Sequence, residues 1–147
     1  TATAVGMLAE SGQLSLDSGV DQHLAYSIVH RSAPRETLST EAVLAHAGGI
    51  ADNDSVMDTY VRRNSDPSLS LTEVAERYFS VDGADYSSRM NFLGNGPERR
   101  SAYSNMGYAL LGHQVEAATG TDFSEWTDSA IFTPLGMNQT GWHLAMP

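Results

Sequence analysis

The residues in this sequence that are best suited to do chemistry are Tyr103 and Asn105, in the segment Tyr103-Ser104-Asn105. A phenol could transfer protons here if a neighbouring cation lowered its pKa from the ordinary value of about 10. The side-chain amide of Asn105 offers both a donor and an acceptor to a substrate or to a catalytic ammonium group. Tyr103 lies just before a predicted helix, whose first amide N–H groups favour a developing anion. The segment is therefore a candidate site for proton transfer.

The same residues also have purely structural interpretations. Tyr103 could be a buried tyrosine with a satisfied hydroxyl, and Asn105 could bond nearby backbone and stabilise a turn. His46 stands just before Gly48-Gly49. For this histidine we favour a structural role, in which it bonds the loop, over a role as a base.

Composition excludes several classes of chemistry. The chain has 147 residues, which suits one domain over 1–147, and a formal net charge of −10. An acidic surface repels phosphate backbones and anionic lipids, so we expect no nucleic acid and no membrane partner. Cys and Lys are both absent, and all eight basic residues are Arg. This chain alone therefore cannot provide a thiolate nucleophile, a lysine Schiff base or a lysine base.

We also expect no metal ion and no cofactor. Asp52-Asn53-Asp54 resembles the start of a calcium loop. However, Val56 and Met57 occupy the places where such a loop needs an oxygen ligand and a glycine.

Hydrophobic periodicity and end signals predict a mostly helical chain. Thr40 is the predicted cap of the second helix, while Ser70–Glu73 and Asp122–Glu125 fit capping boxes. Gly120 closes the longest helix, and residues 80–102 are predicted to be an irregular connection. The predicted helices cover about 1–11, 40–47, 54–63, 71–79, 104–119 and 126–131.

Tyr103-Ser104-Asn105 at the start of a helix resembles the Tyr-x-Asn motif of the serine β-lactamase and penicillin-binding protein-like superfamily. The most similar branch is the class C-type group with its esterases, D-aminopeptidases and DD-carboxypeptidases. Three further stretches agree in order. Residues 1–20 are similar to the segment after the Ser-x-x-Lys motif, 44–50 to Leu-x-x-His-x-Ser-Gly-Ile/Leu, and 131–141 to Ile-Phe-x-Pro-Leu-Gly-Met-x-x-Thr.

The resemblance implies a mainly α fold class: the helical domain of the β-lactamase/DD-peptidase-like fold, lacking the antiparallel sheet. It also implies a serine that attacks a β-lactam, D-amino peptide or ester to form an acyl-enzyme. A lysine and Tyr103 would manage the protons, and Asn105 would orient that lysine and the substrate amide. The Ser-x-x-Lys pair would precede Thr1 and the third motif would follow Pro147, so we expect a fragment that is inactive alone.

One position departs from the family pattern, because Gly48 stands where the signature has Ser. Any role of a hydroxyl at this position is therefore lost. The alternative function is a catalytically dead binding or interaction module that kept the same scaffold. In the complete enzyme the partner is a small-molecule or peptide substrate. For the chain itself we expect self-association or pairing with a complementing chain, through an apolar patch formed by the first helix and the Trp142 end. The resemblance favours a periplasmic or secreted location.

Overall fold

The computed structural model describes residues 1–62 and 64–144. Over these ranges it contains six α-helices, a π-helical turn and no β-strand; the pairs Gly19–Ser39 and Ile50–Phe92 form isolated bridges. The predicted mainly α class is therefore confirmed. The helices are α1 Ala2–Glu10, α2 Thr40–Leu44, α3 Asp54–Tyr60, α4 Leu71–Phe79, α5 Asn105–Thr119 and α6 Phe123–Thr127, and α6 continues into the π turn Asp128–Phe132.

Local capping signals fix several of these helix ends. Ser70 and Glu73 form the predicted capping box of α4, in which each side chain bonds the other residue's backbone N–H. Gly120 ends α5 in the left-handed conformation, with φ of 68°, which glycine adopts without a steric penalty. Both of these predicted ends are confirmed.

Four predicted boundaries differ from the structure. Ser39 and not Thr40 caps α2, because the Ser39 hydroxyl accepts from the Ala42 N–H at 3.1 Å. The helix also stops at Leu44, three residues before the predicted end. α3 ends at Tyr60, and the predicted end at Arg63 lies outside the described residues. α6 begins at residue 123, directly after its Asp122 cap, which is earlier than predicted.

The core is built around α5, which packs against α1, α2, α4 and α6. Leu110, Leu111 and Val115 are fully buried along this helix. A Cβ added to Gly112 would lie 2.7 Å from the Leu71 side chain, so the glycine allows α4 and α5 to approach closely. The fold therefore holds α5 firmly along its length and leaves its N-terminus at the surface.

Trp142 lies at the surface near the end of the described residues, with 49% of its area exposed. Its indole N–H donates to the Thr127 hydroxyl at 2.8 Å, and its ring lies 5.1 Å from that of Phe123. The side chain covers the outside of α6 and does not enter the core. None of the described helices combines the length and the apolar composition that crossing a membrane would need.

Candidate functional site

Four backbone N–H groups at the N-terminus of α5 have no partner within the helix, and the structure gives all four an acceptor. The Ser104 N–H donates to His46 Nδ1 at 3.2 Å. The Asn105 and Met106 N–H groups donate to the two carboxylate oxygens of Asp52, at 2.8 and 3.0 Å. The Gly107 N–H donates to the Ser104 hydroxyl at 2.9 Å. The loop that contains His46 and Asp52 therefore holds this helix end.

The carboxylate of Asp52 accepts two further hydrogen bonds at this site. The Ser104 hydroxyl donates to Oδ1 and Nδ2 of Asn105 donates to Oδ2, both at 2.8 Å. Burial acts to raise the pKa of the Asp52 carboxyl, but the bonds from Met106, Asn105 and Ser104 outweigh it, so the pKa lies below its ordinary value. Asp52 is therefore a fixed negative charge at the start of α5.

Tyr103 and Asn105 are in direct contact. The Tyr103 hydroxyl donates to Oδ1 of Asn105 at 3.1 Å. The Tyr103 side chain is 73% exposed, which is unusual for a large aromatic residue, so the interpretation of a buried structural tyrosine is wrong. The other end of the Asn105 amide is held by Asp52. The structure thus brings the two predicted residues together at the surface.

His46 forms one wall of this arrangement. Its ring centroid lies 4.7 Å from that of Tyr103 and 4.7 Å from that of Tyr108, and the Tyr108 contact is stacked. Because Nδ1 accepts from the Ser104 N–H, this nitrogen carries no proton here. His46 also has a positive φ of 54°, and its backbone carbonyl accepts from the Ala102 N–H at 2.8 Å. These contacts agree with the structural role that we favoured for this histidine.

Buried polar contacts fix the loop that carries Asp52. The Tyr78 hydroxyl donates to the Ala51 carbonyl at 2.8 Å and accepts from the Asn53 N–H at 2.9 Å. Nδ2 of Asn53 donates to Oδ1 of Asn91, which is fully buried. Asp52 is thus held on both sides by residues that the core immobilises.

One expectation about the site is wrong. We predicted that the first N–H groups of the helix would stabilise a developing anion, but the carboxylate of Asp52 and other residues of the chain already take them. In the sequence, Asp52 stands out only as part of the segment that resembles the start of a calcium loop. Within the described residues, no group of three or more His, Asp or Glu side chains is placed to hold a metal ion.

The larger surface grooves lie away from Tyr103. One groove of about 470 Å³ runs between the α3–α4 connection and α6, with Pro67, Leu71 and Trp142 in its walls. Neither Tyr103 nor Asn105 lines it. Within the described residues, Tyr103 therefore faces an open surface and not one of these grooves.

The helical fold, together with the ordered sequence stretches, places this protein in the β-lactamase-like class. The chain belongs to the Beta-lactamase family, whose sequence model matches residues 1–147. It is 31% identical over 140 residues to penicillin-binding protein 4 of Amycolatopsis lactamdurans. The aligned region covers 95% of this chain and 32% of that protein. The resemblance to the serine β-lactamase and penicillin-binding protein-like superfamily is therefore confirmed.

Solved structures show the same relationship. A penicillin-binding protein from Bacillus halodurans superposes with a TM-score of 0.69 and 26% identity, over 98% of this chain and 40% of that one. D-amino acid amidase from Ochrobactrum anthropi SV3 gives a TM-score of 0.64 and 25% identity, over 99% of this chain and 37% of that one. The chain thus spans less than half the length of each of these relatives.

Proposed function

We propose that residues 1–147 supply the tyrosine and asparagine of a serine hydrolase that acts through an acyl-enzyme. Tyr103 and Asn105 are the catalytic residues of this proposal. The observation that carries it is the exposed hydrogen-bonded pair of their side chains at the start of α5. A hydroxyl that faces solvent from a well-fixed helix end is suited to meet a substrate and exchange protons with it.

The hydrogen bonds of the pair determine what it offers to the reaction. Because the Tyr103 proton is directed at Asn105, the lone pairs of the phenol oxygen remain free to accept from a nucleophilic hydroxyl or an ammonium group. In the proposed reaction, a serine oxygen attacks the carbonyl carbon of a β-lactam, D-amino peptide or ester. Tyr103 takes up the serine proton as its own proton leaves Asn105 for the leaving group, and water then cleaves the acyl-enzyme.

The nucleophile and the cation must come from other residues of the enzyme. The Ser-x-x-Lys motif cannot be formed within 1–147, because this chain contains no Lys. Isolated 1–147 should therefore show no turnover of a chromogenic cephalosporin or of a p-nitrophenyl ester. Turnover that persists through repurification and disappears in Tyr103→Phe would contradict this proposal and would require a different nucleophile.

The decisive experiment uses the full-length gene product that contains these residues. Its hydrolysis of a chromogenic cephalosporin, a D-phenylalanine anilide and a p-nitrophenyl ester should fall about 10²–10⁴-fold in Tyr103→Phe. Tyr108→Phe is the matched control, since Tyr108 lies nearby on α5 and contacts the same histidine. Mass spectrometry of the full-length protein, quenched during turnover, should show the added mass of the acyl group in the acyl-enzyme. Equal activity of both variants would refute a catalytic role for Tyr103.

A non-catalytic binding module is the second candidate, and the environment of Gly48 favours it. A Cβ at this position would lie 3.1 Å from the Leu38 side chain and 3.3 Å from that of Val43. The site is therefore packed tightly around a residue without a side chain, and the serine hydroxyl of the family signature is missing here. Such a module would bind the same substrates saturably in calorimetry without converting them, and Tyr103→Phe would change the affinity only.

A further inference from the structure

We propose that Asp52 is a positioning residue of this site, which fixes the Asn105 amide in the orientation that turns its carbonyl oxygen towards Tyr103. The inference rests on the proposed function, because it assigns the residue through which that site is held. It starts from a chain of three groups: the Asp52 carboxylate, the Asn105 amide and the Tyr103 hydroxyl.

The chemistry of the carboxylate sets the direction of this chain. An ionised carboxylate only accepts hydrogen bonds, so the nitrogen end of the Asn105 amide must face it. The oxygen end is then left to face Tyr103, and the phenol must be the donor. Rotating the amide by half a turn would place its oxygen against Oδ2 of Asp52 and lose that hydrogen bond, and its NH₂ group would then donate to the phenol oxygen. The orientation of Asn105 is therefore determined by Asp52.

The charge of Asp52 also acts beyond the first contact. A negative acceptor on the nitrogen side of an amide polarises it, which makes its oxygen a stronger acceptor for the next donor. The Tyr103 proton is consequently held on the Asn105 side, and the lone pairs of the phenol oxygen point away from it. Asp52 thus controls which face of the phenol a substrate or a cation meets, although it touches neither.

Asp52 is itself held in place independently of the Asn105 side chain. Its two oxygens accept from the Met106 N–H, from the Asn105 backbone N–H and from the Ser104 hydroxyl. These three donors belong to the helix end, so the carboxylate keeps its position even when the Asn105 side chain is removed. This makes it possible to separate the positioning effect from a general loss of structure.

Chain 1–147 permits the test by NMR without any substrate. In the unmodified chain, lowering the pH should shift the Asn105 side-chain NH₂ signals and the ring Cζ signal of Tyr103 together with the Asp52 carboxyl carbon, all with one midpoint. In Asp52→Asn the shared acid transition should be lost. Asp54→Asn is the matched control, since Asp54 is exposed and lies two residues away, and it should leave the transition intact.

A double-mutant cycle distinguishes positioning from structural support. Asp52→Asn should shift the Tyr103 Cζ signal in the natural background and leave it unmoved in an Asn105→Ala background. Equal shifts in both backgrounds would overturn the proposal, and so would separate acid midpoints for Asp52 and Asn105 in the unmodified chain. That last measurement needs no variant, so it stays informative if Asp52→Asn fails to fold.

The same cycle applies to the full-length gene product. There Asp52→Asn should lower kcat about 10²-fold, the scale that misplacing a catalytic group costs, with KM little changed. The decrease should largely vanish in the Asn105→Ala background. A coupled acid transition in a protein that hydrolyses none of the substrates would refute the proposed function and leave the positioning role standing. Hydrolysis with uncoupled signals would refute the positioning role alone.

Discussion

Replacing Asp52 by Asn should destabilise the fold by about 1.5–3 kcal/mol at neutral pH. The carboxylate accepts four hydrogen bonds from the first turn of α5, two on each oxygen. Asn keeps one oxygen, so two donors would face an NH₂ group. Each lost bond to a charged acceptor costs about 1.5–3 kcal/mol, and water reaching this half-buried site should recover about half of the total.

Urea unfolding followed by circular dichroism measures this loss. With a slope of about 2 kcal/mol per molar urea, the midpoint should fall by about 0.75–1.5 M. Asp54→Asn is again the matched control. It removes a charge from the first turn of α3, so it should cost no more than about 1 kcal/mol. Equal losses in the two variants would show that the contacts of Asp52 with α5 do not carry the stability assigned to them.

The pH dependence gives a second check on the same carboxylate. The pKa of Asp52 is lower in the folded protein than the value of about 3.9 expected when unfolded. Its stabilisation is therefore fully present above the unfolded pKa and is lost as the pH falls through the folded one. The difference in the free energy of unfolding between the natural chain and Asp52→Asn should be largest near neutral pH and should disappear in acid. A gap that stays constant down to about pH 2 would refute the reasoning.

Two further predictions concern other parts of the chain. Glu116→Ala should lower the free energy of unfolding in urea by about 2–4 kcal/mol. This partly buried carboxylate accepts from the Thr72 hydroxyl and the Phe123 N–H, and so links α4, α5 and α6. A loss below about 1 kcal/mol would contradict this reasoning. Chain 1–147 should also self-associate or pair with a chain that supplies strands, since the apolar side chains of Met7 and Trp142 are substantially exposed. Sedimentation should detect this association, and a monomer at high concentration that binds no hydrophobic dye would count against it.

The helices could be predicted from the sequence because their signals are local. The capping box at Ser70 and Glu73 and the glycine at position 120 act within one turn of the helix that they end. The error at Thr40 shows the limit of such signals. Thr40 is fully buried and accepts from Nε2 of Gln114 on α5, so a tertiary contact uses the hydroxyl that was predicted to cap the helix.

The site could be predicted only in part for the same reason. Tyr103 and Asn105 are two residues apart and share one helix start, so their proximity follows from the chain itself. Asp52 is more than fifty residues away and reaches them only after α2, α4 and α5 have packed. The sequence near Asp52 therefore contains no pattern that predicts its contact with the start of α5. Its acidic neighbours instead suggested a calcium loop, in which Asp52 would have had a different partner.

The position of Asp52 limits what this helix end can do in a reaction. A helix N-terminus carries about half a positive charge, and here a full negative charge already compensates it. The dipole of α5 can therefore contribute little to stabilising a phenolate at Tyr103 or an oxyanion on a substrate. Oxygen acceptors and one fixed carboxylate instead favour a cation, and in the proposed reaction an ammonium group would meet the free lone pairs of Tyr103. Since this chain has no lysine, the lysine ammonium of the proposed Ser-x-x-Lys chemistry would have to come from another segment or chain.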